Sequence, residues 1–210
     1  MVFVSQFTKT RLVEIRTIID PLGYVLPLLL APVLTMRLLA EEKRSGTFEM
    51  LMTAPVGDAE VVLSKFAGVW IFYSANVALT GLHVLTMLLY YDGGVNWGSF
   101  FTGYLGMLLI AGLFLSFGLF LSSLFENPML AALISFVAGL SLLMIGPLLA
   151  SPLFLQGSMA FEITQFMLPF QHYRNFMRGL VDTRDLAYFI IMIAFFLFLT
   201  TKVVESRKWR

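Results

Sequence analysis

Apolar runs longer than a bilayer is thick alternate with short charged segments along this chain. Phe66–Tyr91, Ser99–Leu124 and Met129–Leu155 contain no Asp, Glu, Lys or Arg, and Leu186–Val204 carries only Lys202. About 20 apolar residues in a helix cross the roughly 30 Å hydrocarbon layer, so each run is long enough to span a membrane. A fifth, shorter candidate is Leu22–Leu39. The pattern predicts an all-α integral membrane protein, a single transmembrane domain over 1–210 with about five spans at 22–39, 61–91, 99–124, 129–155 and 186–204.

The segments between the runs carry their own signals. Residues 1–20 space Leu12, Ile15, Ile18 and Ile19 helically among Lys9, Arg11, Glu14 and Arg16, which predicts an amphipathic segment at the membrane surface and does not resemble a cleaved signal peptide. Asp20-Pro21 reads as an N-cap and first helical residue, with Pro27 and Pro32 kinking the span that follows. The stretch 40–60 is polar and then mixed. It suggests a short interfacial helix after Ser45, a break at Pro55-Val56-Gly57, and a new helix opened by Asp58 and Glu60. Asp92–Gly98 is turn-rich, with Trp97, Tyr90 and Tyr91 at a headgroup boundary. Phe125-Glu126-Asn127-Pro128 joins two spans into a tight antiparallel pair, with Asn127 as cap. Residues 156–185, too polar to span and too apolar for a free loop, predict two short helices dipping into the interface and broken near Pro169.

Small residues mark where helices meet. Ala131, Ser135 and Gly139 recur every fourth position, as do Gly112 and Ser116, and permit close backbone approach. Lys and Arg set the orientation. With the Arg37–Lys65 loop and the tail inside, Arg37, Lys43, Arg44, Lys65, Lys202, Arg207, Lys208 and Arg210 are cytoplasmic, against Lys9, Arg11, Arg16, Arg174, Arg178 and Arg184 outside. This predicts a cytoplasmic C-terminus and residues 1–20 on the outer side.

Composition narrows the chemistry. Hydrophobic residues make up 59% and charged residues 13%, far from the soluble norm of about 25% charged. The net charge of +1 gives no hint of nucleic-acid binding, and the absence of cysteine removes thiolate metal sites. His83 is the one titratable group well inside a span apart from tyrosines; it reads first as a satisfied packing residue, with a proton relay as the alternative. With only His172 beside it and no paired spacing, a metal site lacks support, and so does an acid–base pair for an intramembrane enzyme. No G-x-x-x-x-G-K-[ST] loop is present, so energy for moving anything must come from a separate subunit. No cofactor is expected.

The run from Thr35 to Leu51, centred on Glu41-Glu42-Lys43-Arg44-Ser45-Gly46-Thr47, with Ala54-Pro55-Val56 and Val62–Phe66 after it, resembles the segment following the second span in permease subunits of the ABC type-2 transporter family. Ser122–Asn127 is a second, weaker match, and the tail Val203–Arg210 is similar to the gliding-motility branch of that family. The resemblance implies a non-enzymatic subunit of the inner membrane that dimerises with a second copy or a related subunit and docks separate ATPase subunits through a cytoplasmic coupling helix. It also implies an outer membrane-dipping helical pair at 156–185. Docking would use Glu41, Glu42 and Glu49 against basic or donor groups and Phe48, Leu51 and Met52 in an apolar groove, with Gly46 turning the chain and Arg44, Thr47 and Pro55 completing the loop. Arg174 and Arg178 are read as headgroup anchors or outer-gate contacts. Such permeases have six spans, so the resemblance implies that the family's first span is missing ahead of Met1. The alternative is a non-transporting membrane scaffold or assembly factor that recruits a soluble partner through the same loop.

Overall fold

The computed structural model describes residues 16–47, 56–82, 97–149 and 166–206, and these are helices and the turns joining them. In chain order they are α1 (Arg16–Thr35), α2 (Ala40–Ser45), α3 (Asp58–Thr80), α4 (Trp97–Leu124), α5 (Pro128–Leu149), α6 (Pro169–Met177) and α7 (Thr183–Ser206). Among the described residues, four helices are long and apolar enough to cross a membrane: α3, the Phe100–Leu124 part of α4, the Pro128–Ile145 part of α5, and α7.

The helix boundaries follow from local chemistry. Asn127 caps α5 as the sequence predicts, its Oδ1 accepting from the Met129 N–H at 3.0 Å, with Pro128 first in the helix. α3 opens where Gly57 donates its N–H to Glu60 Oε2 (3.1 Å) and accepts the Glu60 N–H at 2.9 Å. α7 begins earlier than predicted because Asp182 acts as its cap, taking the Arg184 N–H at 2.9 Å. α6 starts at Pro169 after an extended Leu168, so the predicted break is in place; its partner at 156–165 lies outside the described residues. One prediction needs correction. Asp20-Pro21 does not open α1, which already runs from Arg16 and continues through Pro21, Pro27 and Pro32 to Thr35. A short helix at Ala40–Ser45 lies ahead of the interfacial helix expected after Ser45, most of which falls outside the described residues.

α4 is the axis of the bundle, in contact with α1, α3, α5, α6 and α7. Its first turns expose Trp97, Phe101 and Leu105, but from Gly106 to Ser123 it is buried on every side, as expected of a helix with no outward face there. The others bury one face and leave the opposite one bare: Ile71 and Phe72 on α3, Leu133 and Val137 on α5, Ile191 and Phe198 on α7 are each more than half exposed. In water such surfaces are aggregation hazards; in a bilayer they are the lipid contact.

Lipid tails are as apolar as leucine, so helix association in a membrane rests on close packing, and α4 supplies it with glycine. Gly106, Gly112 and Gly118 are six residues apart, which turns each by about 120° around the axis from the last. Each therefore receives a different neighbour. A Cβ on Gly106 would lie 2.8 Å from Phe176 Cβ of α6, and one on Gly112 would lie 2.9 Å from Ile193 Cδ1 of α7 and 3.2 Å from Trp70 Nε1 of α3. One on Gly118 would overlap the Thr35 hydroxyl of α1. Through the gap at Gly112 the Trp70 indole N–H reaches the Leu108 carbonyl at 3.1 Å. Ala131, Ser135 and Gly139 are buried on α5, and a Cβ on Gly139 would press on Leu28 of α1 and Phe114 of α4 at 2.7 and 3.1 Å.

Substituting Gly118 by leucine should overpack this contact at a cost of about 1–3 kcal/mol. Gly68, which has open space around its missing Cβ, is the control. Thermal unfolding in mild detergent should show a lower midpoint for Gly118→Leu and none for Gly68→Ala; equal midpoints would contradict the close approach of α1 and α4.

Candidate functional site

The two ends of α4 carry different polar structures. At the C-terminal end, Leu39, Val62 of α3, Leu119 of α4 and Val204 of α7 form one fully buried cluster. The turn after α1, the start of α3 and the end of α7 thus share one end of the bundle. α6 packs near Gly106 of α4 and sets Tyr173 over Gly23 of α1, at the other end. Sixteen residues of helix separate Gly106 from Ser122, about 24 Å along the axis.

At the first end, residues 36–39 leave the helix and α2 restarts it at Ala40. A helix start exposes N–H groups without intrahelical partners, and here Leu39 and Ala40 are completely buried, so water cannot serve them. Leu39 is a cap residue with no side-chain oxygen to offer. Ser122 of α4 fills the gap. Its Oγ accepts the N–H groups of Leu39 (3.2 Å) and Ala40 (3.1 Å), and its hydroxyl lies 3.2 Å from the Met36 carbonyl, to which it donates. Next to it, Lys43 Nζ donates to the Ser123 carbonyl. Each unsatisfied buried polar group costs about 1–3 kcal/mol, so one hydroxyl holds the turn against a large penalty.

Of the residues assigned to docking, the structure separates two groups. Glu42 turns inward and pairs with Lys65 of α3, both side chains partly buried, so it ties α2 to the bundle. Its Oε2 has no donor among the described residues. Glu41, Arg44 and Thr47 stand on the outside, Glu41 within 3.6 Å of Arg37 along the same surface. Gly46 closes α2 at φ +76°, a left-handed conformation that residues with a Cβ avoid, and the Ser45 and Thr47 hydroxyls meet beside it at 2.8 Å. Phe48, Glu49, Leu51, Met52 and Pro55 lie outside the described residues, as does His83.

At the opposite end, α6 is fastened to α7 by a buried cluster that the sequence did not disclose. His172 Nε2 faces the Phe166 carbonyl at 2.8 Å; since a carbonyl only accepts, Nε2 carries a proton and donates it. Nδ1 lies 2.6 Å from Asp185 Oδ1, and Asn175 donates to Asp185 Oδ2 at 2.8 Å. Tyr188 stacks on the imidazole with centroids 4.1 Å apart and donates its hydroxyl to the Met167 carbonyl. Arg174 and Arg178 are exposed on the other side of α6. The available signal was the spacing of a histidine and an aspartate across one interfacial turn, where both must be satisfied if buried.

The fold and these ends define a multi-pass helical membrane subunit whose polar structure is concentrated at the two faces of the bilayer. A model of the ABC-2 family transporter protein matches residues 9–202, nearly the whole chain, and the protein belongs to that family. It is therefore the permease component of an ABC transporter. No curated relative matches the chain.

Removing Asp185 should strand both His172 Nδ1 and the Asn175 amide. Asp185→Ala is expected to destabilise the protein by about 1–3 kcal/mol, the cost of leaving a buried polar group without its partner, while Arg178→Ala changes stability little. Denaturation in detergent compares the two; an equal, small effect would show that the cluster does not hold α6.

Proposed function

We propose that the chain is the membrane subunit of an ATP-driven exporter in the inner membrane. The segment 36–65 and the C-terminus face the cytoplasm, α1 is a fifth span, and α6 belongs to an outer re-entrant pair. The observation that carries this reading is the short helix α2. It is fixed at one end of the bundle by Ser122, Lys43 and Glu42, and it presents Glu41, Arg44 and Thr47 outward. A motor that pushes on a membrane protein needs a protruding element that does not yield locally, and α2 is such an element. The chain of contacts at Leu39, Val62, Leu119 and Val204 supports placing loop and tail on the same side.

The ATPase meets the exposed rim Glu41–Thr47 together with Phe48, Glu49, Leu51, Met52 and Pro55 downstream. Acidic groups engage donors on the motor and the apolar residues fill a groove. A second permease copy or a related subunit completes the transporter, with Ala131, Ser135 and Gly139 serving packing within the chain. Arg174 and Arg178 contact headgroups or an outer gate. The Glu41–Thr47 run and the Val203–Arg210 tail favour the gliding-motility branch of the family.

Purification of the tagged chain from its native membrane in mild detergent, with identification of companions and an ATP-hydrolysis assay, tests this. A nucleotide-binding subunit with activity is expected; a preparation without one would turn the reading to a scaffold. Reversing charge at Glu41→Lys with Glu49→Lys should reduce the recovered ATPase by about tenfold without changing membrane insertion. Unchanged recovery would remove the docking assignment. Glu42→Lys is a poorer probe, because it also breaks the pair with Lys65.

A further inference from the structure

We infer that Ser122 is a positioning residue that makes α2 and the end of α4 move as one body, so that displacement of α2 is delivered to the axis of the bundle. This rests on the reading of α2 as the element the ATPase pushes.

Covalent connection links α2 to α1, but the helical ladder is interrupted between them. The Met36 N–H to Pro32 is the last helical bond of α1, Leu38 N–H to Thr35 is a turn bond, and the ladder resumes with Lys43 N–H to Leu39. The backbone alone therefore does not hold this joint. The joint to α4 is different. One buried hydroxyl takes two N–H groups from α2's entry and gives its proton to Met36, which fixes the turn from three directions. Lys43 adds a bond one residue further along α4, at Ser123. Both groups lie at the last turn of the helix that touches every other span. A push on α2 therefore reaches α4 through short, buried, directional contacts, and α4 distributes it.

Serine suits the task on chemical grounds. The site asks for an acceptor of two hydrogen bonds and a donor of one, which is the full capacity of a hydroxyl. Alanine supplies none of them. Asparagine has the capacity but needs space in a position that is fully buried.

The absence of cysteine makes the test direct. Cysteines at Glu41 and Leu124, both exposed, carry spin labels, and their dipolar interaction is recorded in the full chain alone, in detergent or nanodiscs, because Glu41 lies on the rim assigned to the ATPase. Expected are a single narrow distance distribution in the parent, a broadened distribution in Ser122→Ala, and a return toward the parent in Ser122→Thr. Should Ser122→Ala fail to fold, Lys43→Met loosens the same joint from its outer side and should broaden the distribution to a lesser extent. A folded Ser122→Ala with the parent's distribution overturns the proposal; so does an unchanged distribution in Lys43→Met when Ser122→Ala cannot be made. Absence of an ATPase companion of the unlabelled chain would instead count against the transporter reading and leave this measurement untouched.

Discussion

Everything in this bundle depends on letting other helices come close to α4. A membrane offers apolar side chains no reward for leaving lipid, so helices stay together only where atoms interlock and polar groups find partners. Three glycines turned to three sides of α4 provide the interlocking. Each removes a side chain where a different neighbour arrives, and each admits a specific feature: the Phe176 backbone end, the Trp70 indole, the Thr35 hydroxyl. Trp70 shows how packing and polarity combine, since its N–H reaches an α4 carbonyl only because residue 112 has no side chain.

Polar groups are spent at the two ends of the bundle. At one, Ser122, Lys43 and the Glu42–Lys65 pair hold a short helix against the spans. At the other, His172, Asn175 and Asp185 bind α6 to α7. Charged side chains near a bilayer normally turn to water, and those that do not are engaged in holding an element in a fixed place. This sorting gives meaning to what remains outside. Among the charges left exposed are Glu41 and Arg44 on α2, and Arg174 and Arg178 at α6.

Four long apolar helices were legible because length and charge exclusion are coarse signals set by the thickness of the bilayer, and the Asn127-Pro128 cap because its chemistry is entirely local. The start of α1 was not legible. Proline is favoured at a first helical position, but within a membrane a helix tolerates it further in, where no water competes for the carbonyls it frees. The partition of the docking residues was hidden for another reason. Glu41 and Glu42 are adjacent and chemically alike, and only the position of Lys65, 23 residues on, decides which one turns inward. Ser122 meets Leu39 across 83 residues of sequence, and from periodicity a serine at the end of an apolar run is simply a small residue. The resemblance of Ser122–Asn127 to the family marked the region without supplying its role.

The position of α4 also bears on routes across the membrane. Ile110, Phe114, Leu115 and Leu119 fill the middle of the molecule with side chains, so the bundle is a post with a sheath around it and not a tube. Among the described residues, the axis of the bundle is thus packed side chain. What the surrounding helices turn outward is a wall rich in Phe, Leu and Ile, and that wall is the surface a lipid tail or a neighbouring helix meets.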